Sequence, residues 1–172
     1  MILVVGGVSG SGKTTVGALL AGRLGWRFAD ADDFHPDSSV AKMRDGIPLT
    51  DADRLPWLNV IGAWMDDRIA AGESAVLACS ALKRDYRDLL LTGRPAVVIA
   101  VLDVPRPELE RRLTLRHGHF FPERLLESQL ATLELPEADE EAAVSVPVSG
   151  GTGETADRVL AALKASGRTI DP

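Results

Sequence analysis

Residues Gly7 to Thr14 read G-V-S-G-S-G-K-T, a full match to the phosphate-loop pattern G-x-x-x-x-G-K-[ST]. Glycines there let backbone N–H groups face phosphate oxygens, and the N-terminus of a following helix adds its positive dipole end. Lys13 can reach the β- and γ-phosphates, and the Thr14 hydroxyl can bind Mg²⁺. Gly7, Gly10, Ser11, Gly12, Lys13, Thr14 and the adjoining Thr15 are therefore the expected nucleotide-binding residues, with Lys13 also catalytic. Farther on comes "FADADDFHP" (28–36), with Asp30, Asp32, Asp33 and His35. Two like charges about 4 Å apart repel by roughly 4 kcal/mol at an effective dielectric of about 20. Negative charges beside a polyanion site make sense if they hold a cation or a hydroxyl.

The loop alone does not say what receives the phosphate. A GTPase needs N-K-x-D to read guanine, but Asn59 is followed by Val60. A motor ATPase needs an apolar run ending in a metal-binding Asp; "VVIAVLDV" offers Asp103, which reads better as the cap of the next helix. A kinase fits best. One carboxylate can then accept the hydrogen bond and proton of an acceptor hydroxyl, while a second holds the Mg²⁺ shell beside Thr14. Carboxylates repel an acceptor that is already phosphorylated, so a hydroxylated substrate is favoured. Farther along, "RRLTLRHGHFF" (111–121) places three arginines and two histidines together without an acid, in a chain of net charge −6. A helix dipole explains Arg111 and Arg112. The charge that continues past them predicts a lid bringing arginine to the transferring phosphoryl group.

Elements that position these residues alternate along the chain. Short β-rich runs stand at 2–6, 26–30, 75–80, 96–103 and 142–148, with helical spacing between them. Leu55, Leu58, Ile61, Met65 and Ile69 recur at intervals of three and four, and Thr50 with Asp53 supplies a starting cap. The C-terminal "ETADRVLAALKASG" is a helix stopped by Gly167. Strands covered on both faces and joined by helices predict an α/β fold with a mainly parallel sheet. At 172 residues, 45 % apolar and 26 % charged, the chain suits one domain spanning 1–172. The acidic balance argues against a nucleic-acid partner. No apolar stretch approaches the ~18–20 residues of a membrane span, and "MILVVGG" lacks a basic leader. A single cysteine, Cys79, lies in an apolar run and reads as a buried, inert thiol. These features predict a cytoplasmic protein.

Six stretches in order carry a resemblance: "GVSGSGKT", "DADDFHP", "KMRDGIPLTDADRLPWL", "CSALKRDYRDLL", "RHGHFFPERLLESQ" and "LELPEADE". Together they resemble the gluconate kinases, P-loop sugar-acid kinases related to shikimate kinase. That resemblance implies ATP-dependent phosphorylation of D-gluconate at its 6-hydroxyl, with Mg²⁺, in a homodimer. It implies a P-loop three-layer sandwich like the nucleoside monophosphate kinases, with a five-stranded parallel sheet of order 2-3-1-4-5. The acceptor region would span about 30–70 and a mobile lid about 112–130. Asp32 matches the position that meets the acceptor hydroxyl, and Asp30 lies nearer the metal. His35, Arg54, Lys83, Arg87, His119 and Gln129 fall in motifs lining the acceptor pocket, and Arg112 and Arg116 on lid positions near adenine and phosphates, Arg116 in a catalytic role. The family usually has Asn where this chain has Ser39, which can still cap a helix. Alternatives are a shikimate-type or other small hydroxy-acid kinase, or a non-catalytic nucleotide-binding regulator. Within "FADADDFHP", strand alternation would put Asp30 and Asp32 on one side and Asp33 on the other.

Overall fold

Helices follow every strand of the sheet, so each crossover returns the chain in the same direction and the pairing is parallel throughout. The computed structural model describes residues 1–115, 123–140, 142–168 and 170. Strands β1 (Ile2–Gly6), β2 (Arg27–Asp30), β3 (Ala75–Ala78), β4 (Val97–Asp103) and β5 (Ala143–Pro147) lie in the order β2-β3-β1-β4-β5. The helices are α1 (Lys13–Leu24), α2 (Asp37–Arg44), α3 (Asp51–Ala70), α4 (Arg84–Leu91), α5 (Arg106–Leu115), α6 (Glu123–Thr132) and α7 (Thr152–Ala165).

The unbroken apolar runs of β1, β3 and β4 reflect burial from both sides. Ile2 and Val4 of β1 join one core with Trp57, Leu58, Ile61 and Met65 of α3. Leu3 and Val5 point the other way, into a core with Val16 and Leu20 of α1 and Val159 and Leu163 of α7. Each such side chain contributes about 1.5–3 kcal/mol on leaving water. Because β1 sits between β3 and β4, the loops leaving its carboxyl end open into the crevice where ligands bind in such sheets.

Helix α3 starts as its sequence predicts, with a reciprocal capping box between Thr50 and Asp53. Gly167, at φ 79°, follows the Ser166 cap of α7. Three local expectations need correction. Strand β2 ends at Asp30, and Asp32 lies in a 3₁₀ turn over Ala31–Phe34, so strand alternation does not set its direction. Asp103 stands outside the cap of α5, which begins only at Arg106, beyond Val104 and Pro105. Ser39 is within α2, its N–H bonded to Pro36 O at 2.9 Å, and Pro36 occupies the cap position.

Candidate active site

The phosphate loop leaves β1 and enters α1 without a side-chain cap, which leaves N–H groups at the helix start available to an anion. Gly7, at φ 129°, has no room for a side chain: a Cβ would lie 2.8 Å from Ser11 Oγ and 3.0 Å from Leu102 O. Its N–H donates to Ser80 O (3.0 Å), and Ser11 N–H closes the loop onto Val8 O (3.2 Å). Lys13 Nζ donates to Val8 O at 2.9 Å, so the ammonium lies over the loop it must serve.

Two helices brace this loop. From the last turn of α5, Arg112 donates to Ser11 O (3.2 Å) while its Nε is held by Glu108 (2.7 Å). Glu108 also takes Arg111, and these two partners hold its carboxyl at a pKa of about 2. From α6, Gln129 accepts the Ser9 N–H at 2.7 Å and donates to Ser9 Oγ at 3.1 Å. The structure therefore puts Gln129, expected in the acceptor pocket, against the phosphate loop. A cavity of about 350 Å³ opens beside it, lined by Gly10, Ser11, Gly12, Thr15, Arg112 and Thr155 among others. Arg116 and His119 lie outside the described residues, as does the middle of the expected lid.

The acidic cluster is joined to the loop by a short chain of hydrogen bonds. Thr14 Oγ1 donates to Asp30 Oδ2 at 2.8 Å, and Asp30 Oδ1 accepts the Asp32 N–H at 3.1 Å. The Asp32 side chain is 73 % exposed, which leaves its oxygens accessible to an incoming hydroxyl. Thr14 and Asp30 form a pair of hard oxygen donors, the kind that suits a cation retaining most of its water. Among the described residues no group of three or more His, Cys, Asp or Glu could hold a metal by itself.

On the far side of Asp32, the His35 ring is stacked on Trp57, with centroids 4.3 Å apart and planes 8° from parallel. Burial holds the imidazole pKa below its ordinary value, with Asp32 acting against that and Arg54 adding to it. His35 Nδ1 is sealed from water without a partner among the described residues. Arg54 is almost buried, within 5.8 Å of the Tyr86 ring centroid, with one long bond from Nε to Leu49 O (3.5 Å). Its terminal nitrogens have no hydrogen-bond partner among the described residues. Lys83 spans both oxygens of Asp51 at 2.8 Å, and the Tyr86 hydroxyl donates to the same carboxylate. The structure thus gathers Arg54 and Lys83 around Tyr86, the first without an ion-pair partner among the described residues and the second neutralised by Asp51.

Arg87 requires a correction. Its side chain is fully buried and makes a two-pronged pair with Glu140 (2.7 and 2.6 Å), and its Nη1 donates to Glu134 O (2.7 Å). A guanidinium enclosed in this way has no donor to offer an acceptor substrate. Burial opposes the Glu140 charge, but the Arg87 bonds outweigh it and keep the carboxyl below its usual range. Replacing Arg87 by Met should destabilise the fold by about 3–5 kcal/mol, because it strands a buried carboxylate. Urea unfolding of the variant checks this, with KM for both substrates expected to stay near the parent value at temperatures where the variant is folded. Cys79 is buried, and its thiol pKa is pushed up to about 12 by that burial, as an inert thiol requires.

A family model described as AAA domain matches residues 2–136. A gluconokinase of Gluconobacter oxydans is 53 % identical over 138 residues, covering 80 % of this chain and 78 % of that protein. The chain belongs to the gluconokinase family. Two solved structures agree in fold with this gluconokinase-family chain. A gluconokinase from Sinorhizobium meliloti is 43 % identical at a TM-score of 0.84, with 95 % of this chain and 91 % of that one covered. An unliganded sugar kinase from Janibacter is 45 % identical at a TM-score of 0.87, with 98 % of each covered. The parallel sheet of order 2-3-1-4-5 expected of the family is the sheet found here.

Sequence reasoning overlooked Trp57, Asp51, Tyr86 and Glu108. Asp51 and Glu108 are ordinary first-turn acids on helices, and nothing in their spacing marks their partners. Trp57 carries a signal of a kind: it lies one helical turn beyond Arg54, on the same face of α3.

Proposed function

We propose that this protein transfers the γ-phosphoryl group of ATP to the 6-hydroxyl of D-gluconate. The observation that carries this reading is the continuous link Thr14–Asp30–Asp32, which sets an accessible carboxylate beside the phosphate loop. In this reading Asp32 accepts the hydrogen bond of the attacking hydroxyl and takes its proton as the new P–O bond forms and the bond from the γ-phosphorus to the bridging oxygen breaks, releasing ADP. Arg54, whose terminal nitrogens have no partner among the described residues, pairs with the substrate carboxylate, and the fork geometry of a guanidinium suits that group. Lys13 and the N–H groups of the loop hold the phosphates and stabilise their charge during transfer. Arg112 and Gln129 keep the loop in shape through Ser11 and Ser9. Thr14 and Asp30 would hold Mg²⁺, which would supply charge neutralisation at the phosphates.

The finer parts of the reading rest on the resemblance of the motifs: a homodimer, a cytoplasmic setting, one domain with its acceptor side at about 30–70, and a lid at about 112–130 carrying Arg116 and His119. No helix among the described residues is long and apolar enough to cross a membrane. A shikimate-type activity is the second reading, since a carboxylate-binding arginine and a hydroxyl-binding aspartate would suit that acid too. A panel of acceptors separates them. With ATP and Mg²⁺, gluconate should give 6-phosphogluconate at a kcat/KM at least about 10²-fold above shikimate or a nucleoside monophosphate. Background turnover with gluconate, alongside rapid turnover with another acid, would overturn the substrate assignment while keeping the kinase.

A further inference from the structure

Trp57 is 1 % exposed and touches the acceptor site twice without reaching into the cleft. Its indole N–H donates to Ala31 O at 2.7 Å, and its ring lies flat on His35. Ala31 and His35 bracket Asp32, so one side chain grips the turn that carries the carboxylate at both ends. The third restraint on that turn comes from the phosphate side, where Asp30 holds the Asp32 N–H. Trp57 sits on α3, one turn beyond Arg54, and three helical residues rise by about 4.5 Å. Leu58, Ile61 and Met65, all fully buried, fasten this helix to the sheet. The separation between Arg54 and the Asp32 turn is thus set through one helix, in which Pro56 lies between Arg54 and Trp57.

We propose that Trp57 is a positioning residue that fixes the span from Asp32 to Arg54 and thereby selects the chain length of the acid. This rests on the reading of Asp32 as the hydroxyl acceptor and Arg54 as the carboxylate anchor. An acid one carbon shorter cannot satisfy both ends at once when the span is held. If the grip on Ala31 is released, the turn can shift towards the anchor. A misplacement of about 1 Å at the reacting centre costs about 10²-fold in rate, so loosening the span penalises the acid that fits and spares the one that does not.

Trp57→Phe keeps a ring against His35 and removes the bond to Ala31 O. The parent should favour the six-carbon aldonic acid over the five-carbon one by about 10²-fold or more in kcat/KM. The variant should lose about 10–10²-fold in kcat with the six-carbon acid, hold KM for ATP within about twofold, and narrow the length preference by at least about tenfold. If both acids lose equally and the ratio survives, Trp57 only supports the fold and the proposal is overturned. A parent that shows no preference between the two lengths overturns it as well. A parent inert with both acids defeats the functional reading itself, and the proposal with it. Should Trp57→Phe yield no folded protein, the benzothiophene analogue of tryptophan placed at position 57, which keeps the bicyclic shape but has no N–H to donate to Ala31 O, gives the same readout.

Discussion

Asp32→Asn lowers the saturated rate of phosphoryl transfer by about 10²–10⁴ and leaves ATP affinity nearly unchanged. The substitution keeps the shape of the 3₁₀ turn and its N–H bond to Asp30 but removes the base. The neighbouring carboxylates supply the controls. Asp30 touches Thr14, so Asp30→Asn should raise the Mg²⁺ concentration needed for half-maximal rate; its amide oxygen can still accept the Asp32 N–H. Asp33 is exposed, and Asp33→Asn should do little. Steady-state rates at saturating gluconate, with Mg²⁺ varied, distinguish the three. The assignment of roles fails if Asp33→Asn is the most damaging, or if Asp32→Asn alters Mg²⁺ dependence without lowering the saturated rate.

Arg116→Ala should slow phosphoryl transfer more than it weakens ATP binding, by about 10³–10⁵ in kcat, the range for an arginine that meets charge in the transition state. The two preceding arginines have other partners. Arg111 is committed to Glu108, and Arg112 is shared between Glu108 and Ser11 O, bonds that suit a brace on the loop. Arg112→Ala should accordingly raise KM for ATP more than it lowers kcat, the opposite division from Arg116→Ala. Single-turnover kinetics with preformed ATP complex separate the two effects. Parent-like rates in Arg116→Ala would return that residue to the role of a helix-end cation.

The sequence by itself determined the sheet and its phosphate loop. Five β-rich runs separated by helical periodicities point to a parallel sheet, and the apolar runs of β1, β3 and β4 require cover on both faces. The loop is equally legible, since its glycines and lysine are contiguous and the chemistry lies within one turn of chain. The Thr50–Asp53 box belongs to the same class, being a contact between residues three apart. What tertiary structure alone decided is every pairing between distant residues. Arg87 and Lys83 look alike in "ALKRDYRD", yet one meets Glu140 across 53 residues and is sealed away, while the other meets Asp51 near the cleft. Gln129 reaches Ser9 across 120 residues, and Trp57 reaches Ala31 and His35 from another helix. The turn at Asp32 is closed locally, by Asp30 accepting the Asp32 N–H, but the indole bond to Ala31 O that holds it comes from a distant helix. A hydrogen bond or a desolvated charge is a property of two surfaces brought together, and local spacing carries no record of the second one.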